Sequence, residues 1–172
     1  MHDEENPMKE IRIEKITLNM GVGADPDELK KGTEIIEKVS GAKTIQTLAK
    51  VKQPTWNIRP GVPIGIKTTL RKASAIEFLK RAFQAKNNKI LKRNFDENGN
   101  FAFGIKEYID LPKTKYDPKL GVKGFDVIVT LERKGYRIKK RKLRQQKLGK
   151  NHKITKESAI DFVTKIFGVE VE

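Results

Sequence analysis

Alternation of apolar and polar residues is most regular between Val62 and Arg71, where it predicts a β-strand. One face of this strand carries Val62, Ile64, Ile66, Thr68 and Leu70, and the other carries Pro63, Gly65, Lys67, Thr69 and Arg71. The first face suits a protein core, whereas the second is basic and hydroxylated and has no carboxylate. That second face suits contact with a polyanion, although an ordinary half-solvated strand gives the same pattern.

The same two-residue period predicts four more strands, at residues 11–20, 43–49, 101–105 and 125–131. In the first of them the apolar positions change register between Ile13 and Ile16, which predicts a β-bulge near Glu14. This strand ends in Gly21-Val22-Gly23, where two glycines permit another backbone to approach closely. The sequence GVG alone is too short to identify a phosphate-binding loop.

A period of 3.6 residues predicts three helices. In the first, Asp25 is the expected N-cap and Gly41 the C-cap, and the buried stripe is Leu29, Gly32, Ile36 and Val39. In the second, Ser74 and Glu77 form a capping box, and the expected core face is Ile76, Leu79 and Phe83, with Phe78 and Ala82 beside it. The third is expected at residues 155–167 with Thr155 as its cap, and it packs through Ala159, Phe162, Val163 and Ile166.

The net charge of the chain limits the kinds of partner that it can be expected to bind. The 172 residues carry a formal net charge of +15, with 34% charged and 37% hydrophobic residues. This excess of positive charge indicates a nucleic acid or an anionic membrane surface as partner. No apolar run approaches the ~20 residues that a membrane span needs. The acidic first ten residues do not resemble a secretory signal, so we expect a soluble cytoplasmic protein.

The residue types present exclude several kinds of chemistry. The chain has no cysteine, and its only histidines are His2 and His152. Disulfides, thiolate nucleophiles and cysteine-ligated metal sites are therefore excluded, and a histidine-based catalytic or zinc site is implausible. We predict no metal, no cofactor and no catalytic residue.

Domain organisation follows from length and from a change in composition. We expect a disordered acidic lead-in at residues 1–10 and a single domain at residues 11–172. Residues 134–153, called the basic segment below, contain no acidic residue, and the next one is Glu157. A solvated face usually mixes signs of charge, so we interpret the basic segment as an extended nucleic-acid-binding loop that is held at both ends. Its main candidate contacts are Arg137, Lys139, Lys140, Arg141, Lys142 and Arg144.

Several ordered motifs resemble one known family. These are LNMGVG at residues 18–23, SGAK at 40–43, IRPGVPIG at 58–65, KTTLR at 67–71, NFAFGIKE at 100–107, YDP at 116–118 and GFD at 124–126. In this order and spacing they are similar to the universal large-subunit ribosomal protein five, the 5S rRNA-binding protein. The segment after Gly135 resembles the archaeal and eukaryotic branch of that family.

The resemblance implies an α+β fold in which α-helices pack on one face of an antiparallel β-sheet and the open face binds RNA. Family members bind 5S rRNA and attach it in the central protuberance of the large subunit. The implied partners are 5S rRNA, 23S rRNA, the P-site tRNA, a protein of the small-subunit head across an intersubunit bridge, and neighbouring large-subunit proteins. No membrane partner is implied.

Site residues carry over by position from the resemblance. The expected 5S rRNA contacts are Asn19, Met20, Gly21, Gly23, Lys43, Lys67, Thr69 and Arg71. The expected tRNA-contacting loop, residues 50–60, offers Lys50, Lys52, Gln53, Thr55, Trp56, Asn57 and Arg59, and we interpret Trp56 as supporting this loop. The bridge loop maps to residues 113–123. Ala42 stands where many members have Gln, so we assign it no contact.

Two other interpretations remain open from the residues alone. Asp110, Asp117 and Asp126 are the carboxylates that a metal-dependent nuclease would group, although their spacing shows no ligand motif. An RNA or DNA chaperone without a fixed partner would have the same excess of positive charge.

Overall fold

The computed structural model describes residues 6–112 and 114–172. Two predictions fall partly outside these residues, namely the first half of the acidic lead-in and Lys113 of the bridge loop. Pro7, Met8 and Lys9 form a turn that leads into the first strand, closed by a hydrogen bond from the Lys9 amide to the Asn6 carbonyl of 2.7 Å.

A five-stranded sheet forms the centre of the fold, in the order β2-β3-β1-β6-β5, with every neighbouring pair antiparallel. Its strands are β1 (Ile11–Gly21), β2 (Ile45–Leu48), β3 (Pro63–Leu70), β5 (Phe101–Ile105) and β6 (Phe125–Arg133). The β1–β6 register shifts between Ile13 and Lys15, which confirms the predicted bulge. A separate parallel pair joins β4 (Lys89–Ile90) to β7 (Glu170–Val171).

The helices are α1 (Pro26–Ser40), α2 (Lys72–Ala85), the single turn α3 (Arg137–Lys140) and α4 (Lys156–Phe167). The Asp25 side chain accepts a hydrogen bond from the Asp27 amide, and Gly41 ends α1 in the left-handed conformation, as predicted. The Thr155 side chain caps α4 by accepting from the Ser158 amide at 3.3 Å.

The predicted start of α2 is wrong. The helix begins at Lys72, directly after β3, and no side chain caps it. Its buried stripe is Ala75, Phe78, Leu79, Ala82 and Phe83, which follow one another at the helical period. Ile76 lies one position off this stripe and is 42% exposed, so it is not a core residue.

Helices and apolar strand residues meet on one side of the sheet. The α1 helix packs against β3, and α2 packs against β1. Phe83 of α2 is the centre of an aromatic cluster, with ring centroids 5.7 Å from Phe103, 6.3 Å from Phe101 and 5.2 Å from Phe167 of α4. Ala159 and Val163 of α4 are buried as predicted, whereas Ile166 is exposed because the helix turns it toward solvent.

The strands therefore have two different faces, and the fold is α+β as predicted. Ile16, Leu18, Ile66, Val127 and Val129 are fully buried beneath the helices. The alternate residues of the same strands point the other way, to what is called the outer face below. They are exposed or half-buried, except for Gly65, which is buried.

Candidate nucleic-acid interface

A row of directly paired residues crosses the outer face of the sheet. Ile45 pairs with Lys67, Lys67 with Asn19, Asn19 with Asp126, and Asp126 with Gly104. Directly paired residues project to the same side of a sheet, so these five share one surface. The structure thus brings the predicted contacts Asn19 and Lys67 together in the middle of the sheet.

A second row runs beside the first. Thr69 pairs with Thr17, Thr17 with Ile128, and Ile128 with Ala102. The predicted contact Thr69 is exposed, and Thr17 adds a second hydroxyl that the sequence did not single out. The sequence could have identified Thr17, because it lies two residues before Asn19 and therefore on the same face of the strand.

Two glycines leave part of the outer face without side chains. Gly21 pairs with Gly65 at the end of the β1–β3 ladder. A methyl group added at Gly65 would lie 2.8 Å from the Thr47 hydroxyl and 2.9 Å from the Met20 carbonyl oxygen, so the fold itself requires glycine there. A methyl group added at Gly21 would meet nothing within 4 Å. Protein packing therefore does not explain glycine at position 21, and the space above it is free for a ligand.

Gly23 differs from Gly21 in its backbone. Its φ of +90° lies in a region that side chains rarely adopt, so this position favours glycine whatever lies above it. The amides of Val22 and Gly23 both donate to the Ile64 carbonyl, at 3.1 and 3.0 Å. These hydrogen bonds hold the end of β1 against β3.

Met20 is a correction to the predicted contacts. Its side chain is 2% exposed and lies in the core with Ile16 and Leu18, because it belongs to the inward set of β1. The motif that carried the prediction spans both faces of the strand, and only its alternate members reach the outer face.

The basic residues predicted around the outer face are exposed. The Lys43 side chain is free of the core, while its carbonyl accepts a 3.0 Å hydrogen bond from Thr68, the buried polar residue of β3. Arg71 follows β3, and its Nη1 donates to the Glu14 carbonyl at 3.4 Å and lies 3.8 Å from the Glu14 carboxylate. Arg71 is therefore partly engaged within the protein.

The predicted tRNA loop extends from the β2–β3 hairpin. Gln53 and Ile58 exchange backbone hydrogen bonds of 2.9 and 3.1 Å, and a short 3-10 turn, Pro54–Trp56, forms the tip between them. Asn57 closes the turn in the left-handed conformation. Lys50, Lys52 and Arg59 are all exposed near this tip.

The interpretation of Trp56 as a packing support is wrong. Trp56 is 70% exposed, and no residue of the short turn Pro54–Trp56 is buried. A large aromatic side chain that is mostly exposed is available for contact with a partner.

The bridge loop is fixed to α1 by two ion pairs. Lys123 bonds to Glu28, and Lys38 bonds to Asp117 at 2.8 Å. Hydrogen bonds from Lys123 and then from Lys31 lower the pKa of Glu28 from 4.5 to about 2. The Lys38 hydrogen bond, followed by that of the Lys119 amide, lowers the pKa of Asp117. Both carboxylates are therefore charged at neutral pH and hold residues 114–123 in place.

The basic segment folds back on itself. The Gln146 amide donates to the Ile138 carbonyl at 3.3 Å, and the Gln145 side chain donates to the Lys139 carbonyl at 2.6 Å. At its far end the Tyr136 hydroxyl accepts from the Ile154 amide at 2.9 Å. The predicted contacts in this segment, from Arg137 to Arg144, are exposed, and the segment contains the helical turn α3 where an extended loop was predicted.

The structure does not group the carboxylates that a nuclease needs. Within residues 6–112 and 114–172, no cluster of three or more histidine or acidic side chains is suited to a metal ion. Asp117 is taken by Lys38, while Asp126 stands on the outer face between Asn19 and Gly104. In the described part of the chain, no helix is long and apolar enough to cross a membrane.

The antiparallel sheet has helices on one side and a polar, lysine-bearing surface on the other. This arrangement defines a basic α+β protein suited to bind a folded nucleic acid. The sequence belongs to the ribosomal protein L5 family. The family model described as "Ribosomal protein L5" matches residues 6–59, and the model that describes the C-terminus of the same family matches residues 63–162. This confirms the family that the motifs indicated.

Archaeal relatives match almost the whole chain. The large ribosomal subunit protein uL5 of Methanococcus aeolicus is 44% identical over 98% of this chain and 95% of its own length. The protein of the same name from Methanococcus maripaludis is 47% identical over 98% and 94%. That of Pyrobaculum aerophilum is 45% identical over 97% and 93%. These relatives are ribosomal proteins and not enzymes, which disfavours the nuclease interpretation.

Proposed function

We propose that this chain is a structural component of the large ribosomal subunit that binds 5S rRNA with the outer face of its sheet and attaches that RNA in the central protuberance. The observation that carries the proposal is the continuous surface formed by Asn19, Lys67, Thr17 and Thr69 beside the open space above Gly21. Membership in the ribosomal protein L5 family supports it.

The chemistry of this surface suits RNA. Double-helical RNA is recognised mainly through its shape, its phosphates and its 2′-hydroxyls. Asn19, Thr17 and Thr69 offer short hydrogen-bonding groups on a rigid strand pair, and Lys67 supplies positive charge for a phosphate. The glycine at position 21 lets an RNA backbone come close to the sheet. Asp126 accepts hydrogen bonds only, so it suits a 2′-hydroxyl or a base amino group and not a phosphate.

The two loops have separate roles in this proposal. The loop at residues 50–60 contacts the P-site tRNA through its exposed lysines, Arg59 and the projecting Trp56. The loop at residues 113–123 contacts a protein of the small-subunit head. The basic segment contacts rRNA, and the edges of the fold contact 23S rRNA and neighbouring large-subunit proteins.

Equilibrium binding of labelled 5S rRNA tests the role of the outer face. We expect Asn19→Ala and Thr69→Ala each to weaken binding by roughly tenfold, because each removes a hydrogen bond worth about 1–1.5 kcal/mol. Lys80→Ala is the control, since Lys80 is exposed on α2 on the other side of the sheet. Unchanged affinity for both outer-face variants would show that the RNA binds elsewhere.

Competition separates a specific 5S rRNA-binding protein from a chaperone. At matched salt, unlabelled 5S rRNA is expected to displace the labelled RNA at a far lower concentration than an unrelated RNA of equal length. Equal displacement by the two would favour a chaperone without a fixed partner.

Deletion of residues 52–59 tests the separate role of the tRNA loop. The Ala49 amide donates to the Val62 carbonyl, and the Ala49 carbonyl accepts from the Gly61 amide, so the hydrogen bonds that join the ends of β2 and β3 lie outside the deletion. We therefore expect 5S rRNA binding to survive it. Binding of tRNA by ribosomes that carry the deletion is expected to weaken. Loss of 5S rRNA binding would contradict this division of roles.

A further inference from the structure

A cleft of about 770 Å³ lies between the basic segment and the end of the sheet. Its walls include five lysines of the segment: Lys139, Lys140, Lys147, Lys150 and Lys153. On the sheet side the cleft is lined by Thr130 of β6 and by the amide side chains of Asn98 and Asn100 in the turn before β5. It is called the lysine cleft below.

Charge within the lysine cleft is poorly balanced. Its one acidic lining residue is Glu14, and the Glu14 carboxylate lies 2.6 Å from the Lys140 ammonium. In the described parts of the chain, the other four lysines have no carboxylate within 4.0 Å. Four like charges around one space repel one another, and they favour occupation of that space by a polyanion.

The lysine cleft is fixed in place before any ligand arrives. Glu14 has a side chain only 12% exposed and lies at the β1 bulge, so its ion pair with Lys140 ties the segment to the sheet. Glu132 of β6 is 2.6 Å from Arg12 and 3.9 Å from Lys140. The His152 ring nitrogen is also 2.9 Å from the Lys134 carbonyl oxygen. A positioned loop loses less conformational entropy on binding than a free basic tail does.

The lysine cleft adjoins the outer face of the sheet at Thr130. Thr130, which lines it, is paired with Lys15 and alternates with Asp126 and Ile128, so it belongs to the outer face. Glu14 also joins the two surfaces, because it lies near both Lys140 of the segment and Arg71 at the end of β3. An RNA lying on the sheet therefore meets the lysine cleft along the same side of the protein.

We propose that the lysine cleft binds the sugar-phosphate backbone of the same RNA molecule that the outer face binds. The inference rests on the proposed function and adds to it a second contact region on 5S rRNA. The lysines neutralise phosphates, and the side chains of Asn98 and Thr130 hydrogen-bond to phosphate or ribose oxygens. The Asn100 side chain is held within the protein, because it donates to Asp96 and accepts from the Leu131 amide. An acidic segment of a neighbouring protein is the alternative occupant that the experiment excludes.

The test compares two triple variants of the full chain with 5S rRNA as the only RNA present. The first carries Lys147→Gln, Lys150→Gln and Lys153→Gln. The matched control carries Lys30→Gln, Lys80→Gln and Lys165→Gln, which makes the same change in net charge at exposed positions on α1, α2 and α4. Both are first checked for an unchanged thermal transition, because a change there would reflect folding. If the thermal transition of the lysine-cleft variant shifts, the single variant Lys147→Gln is used in its place.

Affinity is then measured across a salt series. Each phosphate contact contributes about 0.7–0.9 to the slope of log affinity against log salt concentration, so we expect the slope of the lysine-cleft variant to fall by about 2, or by somewhat under 1 for the single variant. The control is expected to keep the slope of the unmodified protein. Equal slopes for the lysine-cleft variant and the unmodified protein would overturn the inference and favour a protein occupant.

Failure of the inference is distinguishable from failure of the proposed function. If the lysine-cleft variant binds 5S rRNA like the unmodified protein while Asn19→Ala still weakens binding, the outer face alone contacts that RNA. If the unmodified protein does not prefer 5S rRNA over unrelated RNA, the proposed function itself is wrong.

Discussion

The outer face of the sheet and the basic segment adjoin each other but differ in charge and in what holds their residues in place. The outer face is built from short, mostly neutral residues on strands that hydrogen bonds hold in register, with one lysine and one aspartate in its central row. The basic segment carries dense positive charge on a loop that depends on ion pairs for its position. Shape and hydrogen bonding therefore dominate on the sheet, whereas charge dominates on the segment.

This comparison predicts opposite responses to salt and to steric change. Apart from the one phosphate contact expected from Lys67, contacts on the sheet are sensitive to the volume of a side chain and insensitive to ionic strength. Contacts on the basic segment tolerate changes of shape and weaken as salt screens them.

The largest effect is expected from Gly21→Val. The protein offers open space above Gly21, so the variant folds normally, but its side chain occupies the space that an RNA backbone would enter. Overpacking of this kind costs about 1–3 kcal/mol, which corresponds to roughly 5- to 150-fold weaker 5S rRNA binding at every salt concentration.

Gly65→Ala is the contrasting variant. Its methyl group would press on the Met20 carbonyl within the fold, so its midpoint of thermal unfolding falls. If Gly21→Val binds 5S rRNA like the unmodified protein, the RNA does not approach the sheet at this point.

The next effect in size is expected from Lys67→Ala. Removing the one lysine of the central row deletes about one phosphate contact, so the salt slope falls by about 0.7–0.9. Asn19→Ala, its direct neighbour across the strands, is expected to lower affinity without changing the slope. Equal slope changes in the two variants would break the distinction between hydrogen bonding and charge on this face.

Low pH is expected to destabilise the bridge loop and to leave the sheet folded. The pKa of Glu28 is lower in the folded protein than in the unfolded chain, so its ion pair stabilises the fold fully above pH 4.5 and is lost as the pH falls from 4.5 toward 2. The lowered pKa of Asp117 acts in the same direction.

Hydrogen exchange measures this loss segment by segment. Amide exchange in residues 114–123, corrected for the intrinsic pH dependence, is expected to accelerate as the pH falls from 4.5 to about 2, while protection in β1 and β3 persists. Lys123→Ala is expected to produce the faster exchange at neutral pH. Simultaneous loss of protection in the loop and in the strands would contradict the separation.

The smallest effect is expected from Lys72→Gly. Lys72 joins β3 to α2 with φ of +55°, a conformation that is strained for lysine and free of strain for glycine. The free energy of unfolding is expected to rise by about 0.5–1 kcal/mol, measured by urea denaturation. Unchanged 5S rRNA affinity is expected as well, because the residue begins a helix that packs behind the sheet; a loss of affinity would place RNA at this junction.

The sequence predicted the strand and helix pattern well where periodicity was strong. The β1 bulge, the two faces of β3 and the caps of α1 all followed from local residue order. The β4–β7 pair was missed because two-residue strands carry no period. The start of α2 was wrong because the chain turns into the helix directly from β3, before the capping box that Ser74 offers.

The candidate site was only partly predictable for a different physical reason. Motifs indicate which stretches of the chain belong to the site, but they do not indicate which side chains reach the surface. Met20 is buried because neighbouring residues of a strand point to opposite faces. The link from Glu14 to both Arg71 and Lys140 joins residues that are far apart in sequence, so no local pattern reveals it. The exposure of Trp56 likewise depends on the geometry of the loop tip.

Directed cleavage of bound 5S rRNA tests most directly whether the outer face contacts it, and the absence of cysteine from this chain allows a probe to be attached at one chosen position. A single cysteine is introduced at Thr17 on the outer face or at Ser74 on α2, and each carries a tethered hydroxyl-radical probe. In complex with 5S rRNA, the probe at position 17 is expected to cleave a defined set of nucleotides, and the probe at position 74 is expected to cleave little. Strong cleavage from position 74 with none from position 17 would contradict the claim that the outer face of the sheet binds the RNA.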